Sequence, residues 1–120
     1  MKENIIKDKT FSFALKIVSI CRNLIKEEKE FVLSNQLLRS GTSIGAMVRE
    51  SEQAESKKDF IHKLSIALKE ANETEYWIEL LSAGKLLKEA SKIEIQAEIN
   101  EIIRILTKII LTSKININKV

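Results

Sequence analysis

Apolar residues recur along this chain at three- and four-residue intervals in four separate runs, the period of helices that each turn one face inward. The first run follows Thr10, a residue type that caps helices, and continues to about Lys26. At about 100° per residue, Phe11, Ala14, Leu15, Val18, Cys21 and Ile25 share one face, and Phe13, Ile17, Ile20 and Leu24 share an adjoining one. Ser12, Lys16, Ser19, Arg22, Asn23 and Lys26 fill the remaining arc, too narrow a polar surface for one wall of a solitary bundle. The first face is therefore assigned to the subunit core, and Phe13, Ile17, Ile20 and Leu24 to a contact between copies.

The second run opens near Ser34, an N-cap residue type, and Leu33, Leu37, Ser40, Ile44, Met47 and Val48 keep helical spacing through two glycines, Gly41 and Gly45. A glycine inside a helix costs about 1 kcal/mol relative to alanine, which argues for a loop. The unbroken period through Met47, Val48 and Glu50 argues instead for one continuous helix whose missing side chains admit another backbone, and this reading is preferred. Ser56, with Asp59 three residues on, starts a third run carrying Phe60, Leu64, Ala67, Leu68, Ala71, Ile78 and Leu81, with Gly84 placed for a left-handed helix end. Ser91 and Glu94 form a capping box ahead of Ile95, Ile99, Ile102, Leu106 and Ile109, while Ile105 and Leu111 lie off that stripe and join the contact between copies. Helices are thus expected over about 10–26, 34–53, 57–82 and 92–115, and their short connections favour antiparallel neighbours. The expected fold is all-α, an up-down-up-down four-helix bundle in one domain over residues 1–120, oligomeric through the surplus apolar surface of its first and last helices.

Composition supports this class: no proline and three glycines in 120 residues leave little material for the turns of a β-sandwich or barrel. Twenty basic against 17 acidic residues give +3, which permits contact with nucleic acid without demanding it. The balance alternates, with residues 1–40 at +3, 41–80 at −3 and 81–120 at +3, so the middle can face a basic segment of its own or of a neighbouring chain. A lone cysteine, Cys21, and no apolar stretch of signal-peptide or membrane-spanning length point to a cytoplasmic protein.

Little catalytic chemistry is on offer. His62 is the only histidine, and with Cys21 it cannot assemble a zinc or di-iron ligand set. The stretch Ser40–Gly45 lacks the lysine and the preceding strand of a phosphate-binding loop. No enzyme activity and no cofactor are expected. Glu70, Glu73, Glu75 and Glu79 crowd one region of the third helix, where Glu75 is the expected partner of Arg39. Arg39, Arg49, Lys57, Lys58 and Lys63 are the candidate contacts to an RNA or DNA backbone, a role strengthened if several copies surround one axis. The alternative is a scaffold that holds another protein through the acidic middle segment.

The run from Leu33 to Ala46 followed by Val48-Arg49-Glu50, together with the run from Asp59 to Trp77, closely resembles the second and third helices of the four-helix-bundle family named after 23S ribosomal RNA intervening-sequence proteins. The likeness spans about residues 10–115. It implies a left-handed up-down-up-down bundle, a ring-like homopentamer, and Gly41 and Gly45 inside a helix. Relatives include the accessory protein of diversity-generating retroelements, similar to a basic, pentameric nucleic-acid partner of a reverse transcriptase, so the resemblance implies RNA or DNA binding and no catalytic residues. This chain departs from the family pattern at Met47, where asparagine is usual.

Overall fold

The computed structural model describes residues 2–118, which form four helices and no strand: α1 (Lys2–Glu28), α2 (Val32–Ser51), α3 (Lys57–Ala83) and α4 (Glu89–Asn118). α1 packs against α2 and α4, and α3 packs against the same two helices. The molecule is about 55 Å long and 22 Å wide. Arg39 of α2 meets Glu70 and Glu73 of α3 while Glu50 meets Lys63, so residue number rises along one helix as it falls along the other.

Three expected helix starts lie elsewhere. Thr10 is interior to α1, where its buried hydroxyl donates to the carbonyl of Ile6 at 2.8 Å, because Ile6 carries the inward stripe a turn further toward the N-terminus. α2 opens ahead of Ser34, and the Glu30 carboxylate accepts from the Leu33 amide at 2.9 Å in place of a serine cap. Ser91 lies inside α4, whose first turn closes from the Lys92 amide to the Lys88 carbonyl at 2.9 Å. Ser56 does cap α3: it is extended at φ −159°, its Oγ accepts from the Asp59 amide at 3.0 Å, and Asp59 accepts from the Glu55 amide at 3.2 Å. After α3 the left-handed residue is Lys85, at φ 62°, and not Gly84, at φ −79°.

Gly41 and Gly45 are interior to α2. A Cβ on Gly41 would stand 3.0 Å from Cγ2 of Ile17, and one on Gly45 would stand 3.3 Å from the Thr10 hydroxyl. The absent side chains therefore set how closely α1 and α2 approach. Cys21 closes the same seam by donating from Sγ to the Ser34 carbonyl at 3.3 Å. The opposite seam, between α1 and α4, is bridged by ion pairs from Lys9 to Glu101 at 2.8 Å and from Lys16 to Glu94 at 3.1 Å, with Glu98 also against Lys16.

The core runs the length of the bundle and is built from Phe13, Ile17, Leu37, Ile44, Leu64, Ile78, Ile95 and Ile99, all nearly or wholly excluded from solvent. Buried hydroxyls on its edge return their protons to their own helices, as Ser40 does to Gln36 at 3.1 Å and Thr74 to Glu70 at 2.7 Å. Ser82 is the exception: its Oγ is buried with no hydrogen-bond partner among the described residues.

Candidate functional site

Apart from Cys21, which stays in the core as expected, the two stripes of α1 occupy the reverse of their expected places. Phe13, Ile17 and Leu24, assigned to a contact between copies, are buried in the subunit at 0%, 0% and 1% exposure. Ile20 and Ile105 pack against that core and are partly buried. The other stripe turns outward: Phe11 and Leu15 are 52% and 58% exposed, and Ala14, Val18 and Ile25 are partly so. The physical reason is the small-residue face of α2. Ile17 fits the space that Gly41 leaves open, and Lys9 and Lys16 on the other flank reach the α4 carboxylates, so the helix can turn no other way. Of the expected contact residues only Leu111, at 56%, is largely open to solvent, and Ile115 joins it one turn on at 58%.

The five candidate phosphate contacts do not form one positive surface. Arg39 is held by Glu70 at 3.1 Å and by Glu73. The same Glu73 accepts from the Trp77 indole at 3.0 Å. Donation by Trp77, then by Arg39, holds the Glu73 carboxyl below the usual carboxylate range, and the pairing with Glu73 raises Arg39 further. Glu75, the partner expected for Arg39, is left out of this cluster. The Arg49 guanidinium lies 5.3 Å from the centre of the exposed Phe11 ring, and Lys63 pairs with Glu50 at 3.2 Å. Arg49 and Lys63 line an open depression of about 500 Å³ together with Glu50, Gln53, Glu55 and Asp59, so three carboxylates outweigh two cations there. Lys57 and Lys58, the first residues of α3, are exposed and make no ion pair among the described residues.

His62 is exposed on α3. The Cys21 thiol is buried, and loss of water pushes its pKa up to about 11, which leaves it a poor nucleophile. Among the described residues no three His, Cys, Asp or Glu side chains converge as a metal site would require, and no helix is long and apolar enough to cross a membrane. What the surface offers is apolar side chains on the outer faces of α1 and α4, bordered by charge.

Comparison with known proteins places this arrangement. The family described as 23S rRNA-intervening sequence protein matches residues 2–108. The chain belongs to that family. A crystal structure of a protein of unknown function from the S23 ribosomal protein family of Bacteroides thetaiotaomicron is similar to it, with 54% identity over 92% of this chain and 98% of that one and a TM-score of 0.89. No curated protein matches. The match to the intervening-sequence family takes in α2 and α3 whole, with the two glycines against α1.

Signals for the outward stripe were present in the sequence. Phe11, Ala14, Leu15, Val18 and Ile25 keep the spacing of a helix–helix contact. Choosing which stripe faces in required knowing that Lys9 and Lys16 lie opposite Glu94, Glu98 and Glu101, a pairing that only the packed bundle displays.

Proposed function

We propose that this member of the intervening-sequence family is a non-enzymatic, up-down-up-down bundle that works by assembling, with copies of the chain meeting through the outward stripe of α1. One observation carries the reading: Phe11 and Leu15 stand 52% and 58% exposed at the head of a stripe that continues through Val18 and Ile25. Burying a side chain of this size contributes about 1.5–3 kcal/mol, and a lone subunit leaves that contribution unused. The subunit number that the family resemblance implies is five, as a closed ring.

Light scattering on the purified full chain tests it. The expected mass is a multiple of 13.7 kDa, five-fold for the ring. Leu15→Glu is expected to lower that mass with helicity retained, whereas Ile17→Glu, in the core, unfolds the subunit. A wild-type monomer at micromolar concentration removes the proposal.

A second reading, contact with an RNA or DNA backbone, is favoured by the exposed Lys57 and Lys58 at the start of α3 and by the reference to 23S rRNA in the family's description. Phosphate contact requires an affinity that falls steeply as salt rises. Lys57→Glu with Lys58→Glu is expected to abolish it. Failure of generic RNA and DNA to bind at low salt leaves the assembly alone.

A further inference from the structure

The two halves of α4 have opposite charge and opposite fates. From Glu89 to Glu101 the helix carries four glutamates against one lysine, and Glu94, Glu98 and Glu101 are all taken up by Lys9 and Lys16 of α1. From Ile102 to Asn118 it carries Arg104, Lys108 and Lys114 and no carboxylate. None of these three cations makes an ion pair among the described residues. The helix dipole accounts for none of them, since its influence is confined to the last turn and no basic residue lies there.

Apolar surface surrounds those two cations. Ile103, Arg104, Thr107, Lys108, Leu111 and Ile115 line an open groove of about 450 Å³ along the outer face of α4. On the other side of Lys108 a second groove, of about 200 Å³, is lined by Ile5, Ile105 and Ile109. Lys108 therefore borders two apolar depressions, the first of which follows α4 from Ile103 to Ile115, and no carboxylate lines either. This surface is distinct from the α1 stripe through which copies are proposed to meet.

We infer that the C-terminal half of α4 docks an acidic amphipathic helix of a protein partner. Leu or Ile side chains at i, i+3 or i+4, and i+7 on the partner would fill the grooves, while Asp or Glu on its flanks would meet Arg104 and Lys108. Charge complementarity selects the sign of the partner, and the groove axis selects its form. Extended phosphate backbone fits less well, because cations set a turn apart among isoleucines and a leucine leave most of the surface without a polar partner.

The test uses the full chain and a fluorescent synthetic peptide of about five helical turns, with leucines on one face and glutamates flanking them. A matched peptide carries lysine in place of glutamate. Anisotropy is expected to show saturable micromolar binding of the acidic peptide, weakened by salt, and binding of the lysine peptide at least about tenfold weaker. Lys108→Glu and Leu111→Ser are each expected to weaken binding by about tenfold or more, with the circular dichroism melt of each variant unchanged. Equal affinity for the two peptides, no saturation, or an unaffected Lys108→Glu overturns the inference. So does a generic RNA or a phosphatidylserine vesicle that binds in the peptide's place and is lost in Leu111→Ser. A fall in assembly mass for Leu111→Ser also overturns it, since the face would then lie between copies. Leu15→Glu separates the two proposals: it is expected to change the mass and leave peptide binding intact.

Discussion

Adding one methyl group at Gly41 sets two known effects against each other. Replacing glycine by alanine inside a helix stabilises by about 1 kcal/mol through backbone entropy. The new Cβ, however, would stand 3.0 Å from Cγ2 and 3.1 Å from Cγ1 of Ile17, a β-branched side chain with no exposure. Overpacking of this kind costs about 1–3 kcal/mol, so Gly41→Ala is expected to destabilise by about 1 kcal/mol net, or about 4 °C in Tm. Gly45→Ala is the control. Its Cβ would meet the Thr10 hydroxyl at 3.3 Å, tighter than ordinary contact, and Thr10 C and Cβ at 3.5 Å, so crowding offsets much of the propensity gain and the net change is expected to stay within about 1 kcal/mol of zero and to be less destabilising than at Gly41. Removing the obstruction completes the cycle. Ile17→Ala alone costs about 2–5 kcal/mol, but in the Gly41→Ala background it costs less, by a coupling of about 1 kcal/mol. Urea denaturation at two protein concentrations measures all four chains, since any change confined to assembly shifts with concentration and a change in subunit packing does not. A Gly41→Ala chain more stable than wild type, or additive effects in the cycle, would show that α1 and α2 do not touch there.

Acid should loosen the two outer seams together. Glu73 and Glu101 titrate below the ordinary 4.5 because Trp77 with Arg39, and Lys9, hold their charged forms. Carboxylates depressed in the fold contribute stability that is present above their ordinary value and lost as pH falls through the depressed one. Stability is therefore expected to be flat near neutrality and to decline below about pH 4.5. The emission of Trp77, the only tryptophan, should change over the same range, and Glu73→Gln should remove that change. An emission profile unaltered by Glu73→Gln sinks this assignment. Ser82→Ala removes a buried hydroxyl that has no partner, so it is expected to be neutral or stabilising by up to about 1 kcal/mol; a loss of stability would mean the hydroxyl has a partner after all. Cys21 should resist alkylation at pH 8 in the folded chain and react in urea at the rate of a free thiol, because its thiolate is suppressed by burial. Rapid labelling without urea would contradict the closed α1–α2 seam.

How much of this was legible in the chain depends on whether a choice was local or pairwise. The third helix start could be read because the Ser56 hydroxyl accepts from the Asp59 amide and the Asp59 carboxylate from the Glu55 amide, all within five consecutive residues. Helix continuity through Gly41 and Gly45 could be read because the apolar period crosses them unbroken. Thr10, Ser34 and Ser91 are equally good caps in isolation, yet each lies inside a helix, since inward residues such as Ile6 and the carboxylate of Glu30 set the start further upstream. The orientation of α1 is the pairwise case. Its two stripes hold six and four apolar residues, and that count ranks first the stripe that turns outward. What separates them is that one stripe contains Ile17, whose bulk matches a gap in α2, while its neighbouring flank carries lysines seven residues apart that match a glutamate row on α4. Periodicity identifies how many faces a helix has; only the complementary shape and charge of two other helices determine which face is left for a partner. The same rule explains why the cations of the candidate phosphate surface looked available. Arg39 and Lys63 are unpaired along their own helices and are neutralised across the α2–α3 seam, whereas Arg104 and Lys108 face outward from a helix whose carboxylates are already committed to α1.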